Sequence, residues 1–192
     1  MNLRPQNSQK YQSNAGECPE IAPEEIEQFL ARNEEVRRCV YAAFPDLPCP
    51  GDEAIGDIGR LSDHLYAFAG QSWRQIPPRS IADESHFLAV WFMNDEGFRY
   101  FLPVFILACL DTGLTSSMET ITPVFVPPCC NGGRDGWPKF RARFEGLPAE
   151  QCQCISMYLD YYYAENPPRT SDALTCVKSY WANPHFPAQS DD

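Results

Sequence analysis

The sequence predicts an α+β domain that is predominantly helical, with about five helices packed around a short β-hairpin. Apolar residues recur at helical spacing in several separate stretches of the chain. Two runs rich in aromatic and branched residues flank a four-residue connection that ends in glycine, which is typical of a hairpin. The 12 Phe, 9 Tyr and 4 Trp residues supply enough apolar surface to bury one core.

The length of 192 residues suits one domain. Because residues 1–19 are polar and lack an apolar period, we expect a mobile polar leader, then a single globular domain over 20–186 and a polar tail over 187–192. The start of the chain lacks the apolar run of a secretion signal, and no apolar run reaches the roughly 20 residues of a membrane-spanning helix. These features predict a cytoplasmic location.

The first two helices are predicted before residue 70. Proline at the first helical position and two glutamates in the first turn favour a helix that begins at Pro23, and apolar residues continue at helical spacing as far as Phe44. A second helix is predicted over roughly 57–69, with Gly70 ending it. Trp73 and Ile76 are then expected to pack back on the core.

The hairpin is predicted between residues 87 and 102. Its strands are Phe87–Met93 and Phe98–Leu102, joined by Asn94–Gly97 with Gly97 in a left-handed conformation. Pro103 would then begin a new helix. The alternative is one continuous helix from Asp95 to Leu110, in which Pro103 costs about 3 kcal/mol, and for that reason the hairpin is preferred.

The second half of the chain predicts one edge strand and two helices. Thr122–Val126 is a candidate strand that its proline confines to an edge. Proline followed by an acid after Leu147 repeats the start signal of the first helix. A last helix is predicted from Ser171 or Asp172, either of which can cap it, as far as Asn183.

The charge and the cysteine content indicate which partners, metals and cofactors to expect. The chain has 26 acidic and 15 basic residues and a formal charge of −11. We therefore expect it to bind nucleic acid and anionic membranes poorly and to attract a basic protein. Nine cysteines include no C-x-x-C pair, so we expect mainly thiols, no metal site and no cofactor. The oligomeric state is left open.

The sequence contains no familiar catalytic motif. His64 beside Asp63, His86, and His185 near the tail are the candidates for acid–base chemistry. If one of them works with a carboxylate, the chain would be a hydrolase or transferase of unfamiliar type. Histidines in such positions are more often ordinary surface or core residues.

Protein binding is the preferred function. The tip of the predicted hairpin exposes Asp95 and Glu96, with Arg99 and Tyr100 beside it, and tyrosine and arginine are favoured at interface centres. Tyr161, the first of three consecutive tyrosines, is a further candidate binding residue. The tip is also explained as a simple turn. The resulting hypothesis is a small acidic protein that binds another protein, as an immunity or antitoxin protein covering a basic toxin would.

Several motifs carry a resemblance to a known family. The chain is similar to a bacterial family that is known only as a domain of unknown function, over roughly residues 24–182. This resemblance implies a small α-rich domain and no particular activity. The chain departs from the family in the cysteine- and proline-rich segment Pro127–Trp137. The matching positions are Ala42–Pro48, Trp73, Ile76, Asn94–Phe105, Leu147–Gln151, Ala173, Leu174, Tyr180 and Trp181.

Overall fold

Helices of very different length make up the domain. The computed structural model describes residues 22–56, 62–83, 86–112, 119–128, 136–166 and 171–184, so the predicted leader and tail, His185 and the cysteines at 18, 129 and 130 lie outside the described residues. Short 3-10 turns cover Tyr66–Phe68, His86–Leu88 and Thr122–Phe125. The α-helices are α1 (Pro23–Ala43), α2 (Asp52–Ile55), α3 (Ser62–Leu65), α4 (Pro78–Asp83), α5 (Ala89–Phe92), α6 (Asp95–Thr112), α7 (Trp137–Phe144), α8 (Ala149–Glu165) and α9 (Ser171–Ala182).

Helix α6 is the centre of the packing. Every residue from Phe101 to Leu110 is buried, so this stretch is enclosed on all sides. Helices α1, α2, α4 and α7 pack against α6, and α8 packs between α1 and α9. The core is therefore one apolar helix surrounded by others.

The predicted α+β fold with a β-hairpin is wrong. The described residues contain no β-strand, and they are helical where both hairpin strands were expected. The first predicted strand is a 3-10 turn, His86–Leu88, followed by α5, and the second lies inside α6. The predicted edge strand at Thr122–Val126 is likewise a 3-10 turn, Thr122–Phe125.

The rejected alternative, a continuous helix through Pro103, is the one observed. A proline inside a helix costs about 3 kcal/mol, whereas fully burying one large apolar side chain returns about 1.5–3 kcal/mol. The ten consecutive buried residues from Phe101 to Leu110 therefore outweigh the proline. At the start of α6, the Phe98 amide donates to the Asn94 carbonyl at 2.8 Å, and Asp95 and Glu96 lie in the first turn, where the helix dipole favours acids.

Gly97 has a packing role in this helix rather than the turn role that was predicted. A Cβ atom built on Gly97 would lie 2.7 Å from the Ala54 carbonyl oxygen and 2.7 Å from the Ile55 Cα atom. Only glycine lets the first turn of α6 approach α2 so closely. The Asn94 amide, which donates to the Ile55 carbonyl at 2.9 Å, holds the same contact together.

Other predicted elements are confirmed. Helix α1 begins with Pro23 in its first turn, and α8 and α9 form where the two later helices were expected. Gly70 has a φ of +66°, which suits its role as a helix terminator. Trp73 and Ile76 are buried in the core.

Buried polar groups tie the helices together. The Trp181 indole N–H donates to the Phe125 carbonyl at 2.8 Å, and the Thr122 and Tyr158 hydroxyls are 2.8 Å apart. The Asn33 amide nitrogen donates to the Leu110 carbonyl at 2.9 Å, near the end of α6. Because unpaired buried polar groups are costly, these bonds select one arrangement of the helices.

Among the described helices, none is long and apolar enough to cross a membrane.

Substitution of Gly97 by alanine tests the helix contact. Alanine normally stabilises a helix interior relative to glycine, but here the new methyl group would overlap the backbone of α2. We expect Gly97→Ala to lower the unfolding free energy by about 1–3 kcal/mol in urea denaturation. The control is Gly51→Ala, where a Cβ would meet nothing within 4 Å and stability should change little. Equal stabilities of the two variants would contradict the close contact.

Candidate functional site

A pocket of about 290 Å³ lies where α5, α7 and the residues around the 3-10 turn Thr122–Phe125 meet. Its walls are mainly apolar, and the charged side chains that line it among the described residues both come from α7. Lys139 and Arg143 are four residues apart, so one helical turn places them on the same side of α7. The apolar walls are formed by Trp91, Pro123, Val124, Val126, Pro128, Phe140 and Phe144.

Arg143 is the most unusual group in this pocket. Its side chain is only 3% exposed, and its Nε atom lies 3.5 Å from an Asp95 carboxylate oxygen. The guanidinium carbon lies 4.4 Å from the centre of the Phe98 ring, which gives a cation–π contact. The Nε and Nη2 atoms nevertheless have no hydrogen-bond partner. Each such buried donor costs about 1–3 kcal/mol, and more on a charged group.

The electrostatics of the pocket are opposite to those of the whole chain. Burial lowers the pKa of Arg143, although the nearby Asp95 carboxylate partly offsets this. Burial and the neighbouring Arg143 charge lower the pKa of Lys139. Among the described residues, two cations face one carboxylate, so this part of the pocket favours an anion within a chain of formal charge −11.

Two exposed aromatic side chains border the pocket. Trp91 and Phe92 are each 41% exposed, although α5 itself is anchored by buried Ala89 and Val90. Two exposed acids lie on the neighbouring elements α2 and α6. Glu96 is in the first turn of α6, and the carbonyl of Glu53 accepts a hydrogen bond from the Asn94 side chain at 2.8 Å. We call the set of Trp91, Phe92, Glu53 and Glu96 the aromatic face.

The residues predicted as a hairpin tip occupy the start of α6 instead. Asp95 lies beside the pocket through its contact with Arg143, and Glu96 is exposed. Arg99 donates from Nη1 to the Ala142 carbonyl of α7. The Tyr100 hydroxyl donates to the Leu47 carbonyl at 2.7 Å. Arg99 and Tyr100 therefore have structural partners, and their role in binding stays a prediction.

Tyr161 lies apart from the other predicted binding residues. It is buried in α8, where its ring is 5.1 Å from that of Phe29 and its hydroxyl accepts a hydrogen bond from Asn33 at 3.2 Å. The next two tyrosines of the run, Tyr162 and Tyr163, are partly exposed. A binding role for Tyr161 stays a prediction.

The candidate histidines are engaged in local contacts. The His64 ring stacks on Phe92 at 6.2 Å between ring centres, and the Nδ1 atom of His86 lies 3.2 Å from the Ser80 carbonyl oxygen. The hydrolase or transferase alternative stays a prediction. Within the described part of the chain, no three metal-ligating side chains cluster.

The described thiols are poorly suited to nucleophilic chemistry. Cys39, Cys49, Cys109, Cys152 and Cys154 are free, and Cys176 is half of a disulfide. Burial raises the pKa of the Cys109 thiol to about 12, and burial together with the adjacent Cys39 thiol raises the pKa of Cys154. Cys152 lines a larger cavity of about 610 Å³, but burial raises its pKa too, and its sulfur donates to the Leu147 carbonyl at 3.8 Å. A reactive thiol would need the opposite shift.

Trp91, Lys139 and Arg143 are missed in the sequence analysis, because no helix is predicted there over residues 137–144 and a strand is predicted over residues 87–93. A usable signal was present in the α7 sequence, WPKFRARF. At helical spacing, Phe140, Arg143 and Phe144 share one side, which indicates an arginine directed into an apolar environment. That pattern is the one signal that would have identified the pocket.

The fold and the site define an all-helical domain, within its described residues, that carries a ligand-sized pocket beside exposed aromatic side chains. The chain belongs to a family of unknown function, DUF6714, whose model matches residues 57–185. The predicted resemblance to an uncharacterised family is thereby confirmed, although α1 and the Ala42–Pro48 segment lie outside the matched residues. No curated protein and no solved structure matches the chain.

Replacement of Arg143 by methionine tests whether the buried charge stabilises the fold. Because its desolvation is only partly compensated, we expect Arg143→Met to leave the unfolding free energy within about 1 kcal/mol of the wild type, or to raise it. As a control for sensitivity, Phe144→Ala should cost about 3–5 kcal/mol by creating a cavity. A loss of several kcal/mol in Arg143→Met would mean that the arginine is a structural requirement.

The pH dependence of stability follows from the buried Cys109 thiol. Its pKa is raised from 9.0 to about 12, so the neutral thiol stabilises the native state below pH 9 and that contribution is lost as the pH rises toward 12. We expect the unfolding free energy to fall over this range, by at most about 1.4 kcal/mol per pH unit from this thiol. Cys109→Ala should show a flatter dependence in urea titrations at each pH. An unchanged slope would contradict the assignment.

Proposed function

We propose that this protein acts by binding a basic protein through the aromatic face. The observation that carries the proposal is the exposure of Trp91 and Phe92 side by side on a helix whose other residues are buried. Exposed aromatic pairs cost free energy in water, and tryptophan is enriched among the residues that dominate binding energy.

The charges around the aromatic pair support a basic partner. Glu53 of α2 and Glu96 of α6 are exposed carboxylates on elements next to α5 along the chain or through Asn94, and the chain as a whole carries a formal charge of −11. Opposite charges increase the association rate and disfavour acidic partners. Nucleic acid and anionic membranes are disfavoured by the same argument.

An immunity or antitoxin protein is the specific function we propose. Such a protein neutralises a basic toxin by covering its surface, which requires a small, rigid, acidic scaffold with aromatic anchors. The short helix α5 provides a rigid support because its buried residues join the core and Gly56 packs against Phe92 and Met93 from α2. Rigid presentation lowers the entropic cost of binding.

The proposal is tested with basic proteins encoded next to this one in its native genome. The purified protein is titrated against each candidate by calorimetry, and its co-expression should relieve any toxicity of the true partner. We expect Trp91→Ala to weaken that complex by about 2 kcal/mol or more, which corresponds to roughly 30-fold in affinity.

A matched control distinguishes binding through the aromatic face from the general effect of removing an exposed apolar side chain. Leu30→Ala removes a side chain of α1 that is 59% exposed and lies outside the aromatic face, so it should leave affinity unchanged. Glu96→Lys should mainly slow association, with a smaller effect at high salt. Equal effects of Trp91→Ala and Leu30→Ala, or binding that Glu96→Lys accelerates, would count against the proposed face.

A further inference from the structure

The pocket between α5 and α7 has a property that protein binding through the aromatic face does not require. Arg143 is buried against apolar walls, and two of its nitrogen atoms have no hydrogen-bond partner. Natural proteins pair nearly all such groups, and a specific exception calls for an explanation. Among the described residues, the carboxylate that contacts Arg143 is that of Asp95, which lies 3.5 Å from Nε and is itself 41% exposed.

An anionic ligand would supply the missing partner. A carboxylate can accept two parallel hydrogen bonds from a guanidinium group, and such charge-assisted bonds are among the strongest in proteins. Lys139 lines the same pocket one helical turn from Arg143 and offers a second cation. With Asp95 neutralising one of the two positive charges, the pocket matches a group with one negative charge.

The walls of the pocket determine the remainder of the ligand. Trp91, Val124 and Phe140 present apolar surface on different elements, so the part of the ligand that is not charged must be apolar. The volume of about 290 Å³ is at the small end of the range for ligand pockets, about 300–1,000 Å³. A nucleotide would therefore be too large and too highly charged.

We propose that this pocket binds a compact apolar ligand that carries one carboxylate. The ligand's carboxylate pairs with Arg143 and Lys139, and its apolar body packs between Trp91 and the 3-10 turn Thr122–Phe125. A free small acid and the apolar C-terminal residue of a polypeptide share this chemistry. The inference goes beyond the proposed function and does not depend on it.

The first test compares an acid with its neutral analogue on the wild-type protein. Calorimetry or ligand-observed NMR is carried out with 3-phenylpropionate and with 3-phenylpropanamide. The two compounds differ only in the terminal group, which is a charged carboxylate in the first and a neutral amide in the second. We expect the acid to bind about tenfold more tightly or better, since the amide cannot pair with the two cations. Equal affinities, no saturable binding of the acid, or tighter binding of inorganic phosphate would overturn the proposal.

Matched variants locate the binding. Lys139→Gln should weaken binding of the acid several-fold, whereas Lys178→Gln makes the same change of charge on α9, at a lysine that pairs with Asp160 and does not line the pocket. Arg143→Met should abolish the preference for the acid over the amide. If Arg143→Met does not fold, the two lysine variants test the site. Equal affinities of Lys139→Gln and Lys178→Gln for the acid would overturn the proposed site.

A last arm distinguishes the source of the carboxylate. A basic tripeptide that ends in phenylalanine is compared with its C-terminally amidated form. Tighter binding of the acid form than of 3-phenylpropionate would identify a polypeptide C-terminus, and weaker binding would identify a free acid. If the protein binds these probes but no basic protein partner, the proposed function alone is contradicted. If it binds a basic protein partner but none of these probes, this inference alone is contradicted.

Discussion

The complete burial of residues 101–110 of α6 is the constraint on which the rest of the structure depends. A helix that is apolar on every side must be covered on every side, so the chain surrounds it with α1, α2, α4 and α7. The polar groups at its ends must then be satisfied within the protein. Near the C-terminal end, Asn33 reaches the Leu110 carbonyl and Arg37 pairs with Asp111. At the N-terminal end, Gly97 permits the contact with α2.

This constraint also explains which elements could be predicted from the sequence. Helices α1, α8 and α9 lie at the surface, and their polar positions reveal the helical period. Helix α6 has no polar side beyond its first turns, so its period is hidden and its sequence resembles a buried strand. Pro103 strengthened that misinterpretation because a local penalty is visible in the sequence, whereas the burial of ten neighbouring residues that outweighs it is visible only in the fold.

The candidate site was less predictable than the fold, because it is built from residues that are distant in sequence. Trp91, Val124 and Arg143 meet only once α5 and α7 pack beside the 3-10 turn Thr122–Phe125. The sequence did direct attention to Asp95 and Glu96, which lie at the edges of the pocket and of the aromatic face. It did so for the wrong structural reason, since their position comes from the first turn of α6 and not from a hairpin.

The acidic exterior and the basic pocket act over different distances, and this resolves their apparent conflict. The field of a chain with charge −11 extends about 8–10 Å into physiological salt, so it selects what approaches. The buried Arg143 charge acts at contact, where water is excluded and its Nε and Nη2 atoms, which lack hydrogen-bond partners, can be satisfied. A terminal carboxylate on a basic chain approaches with the attraction of that chain, whereas a free small monoanion is repelled by the screened exterior field until it enters the pocket. Specificity at this site therefore comes from the pocket, because the field alone cannot distinguish one basic partner from another.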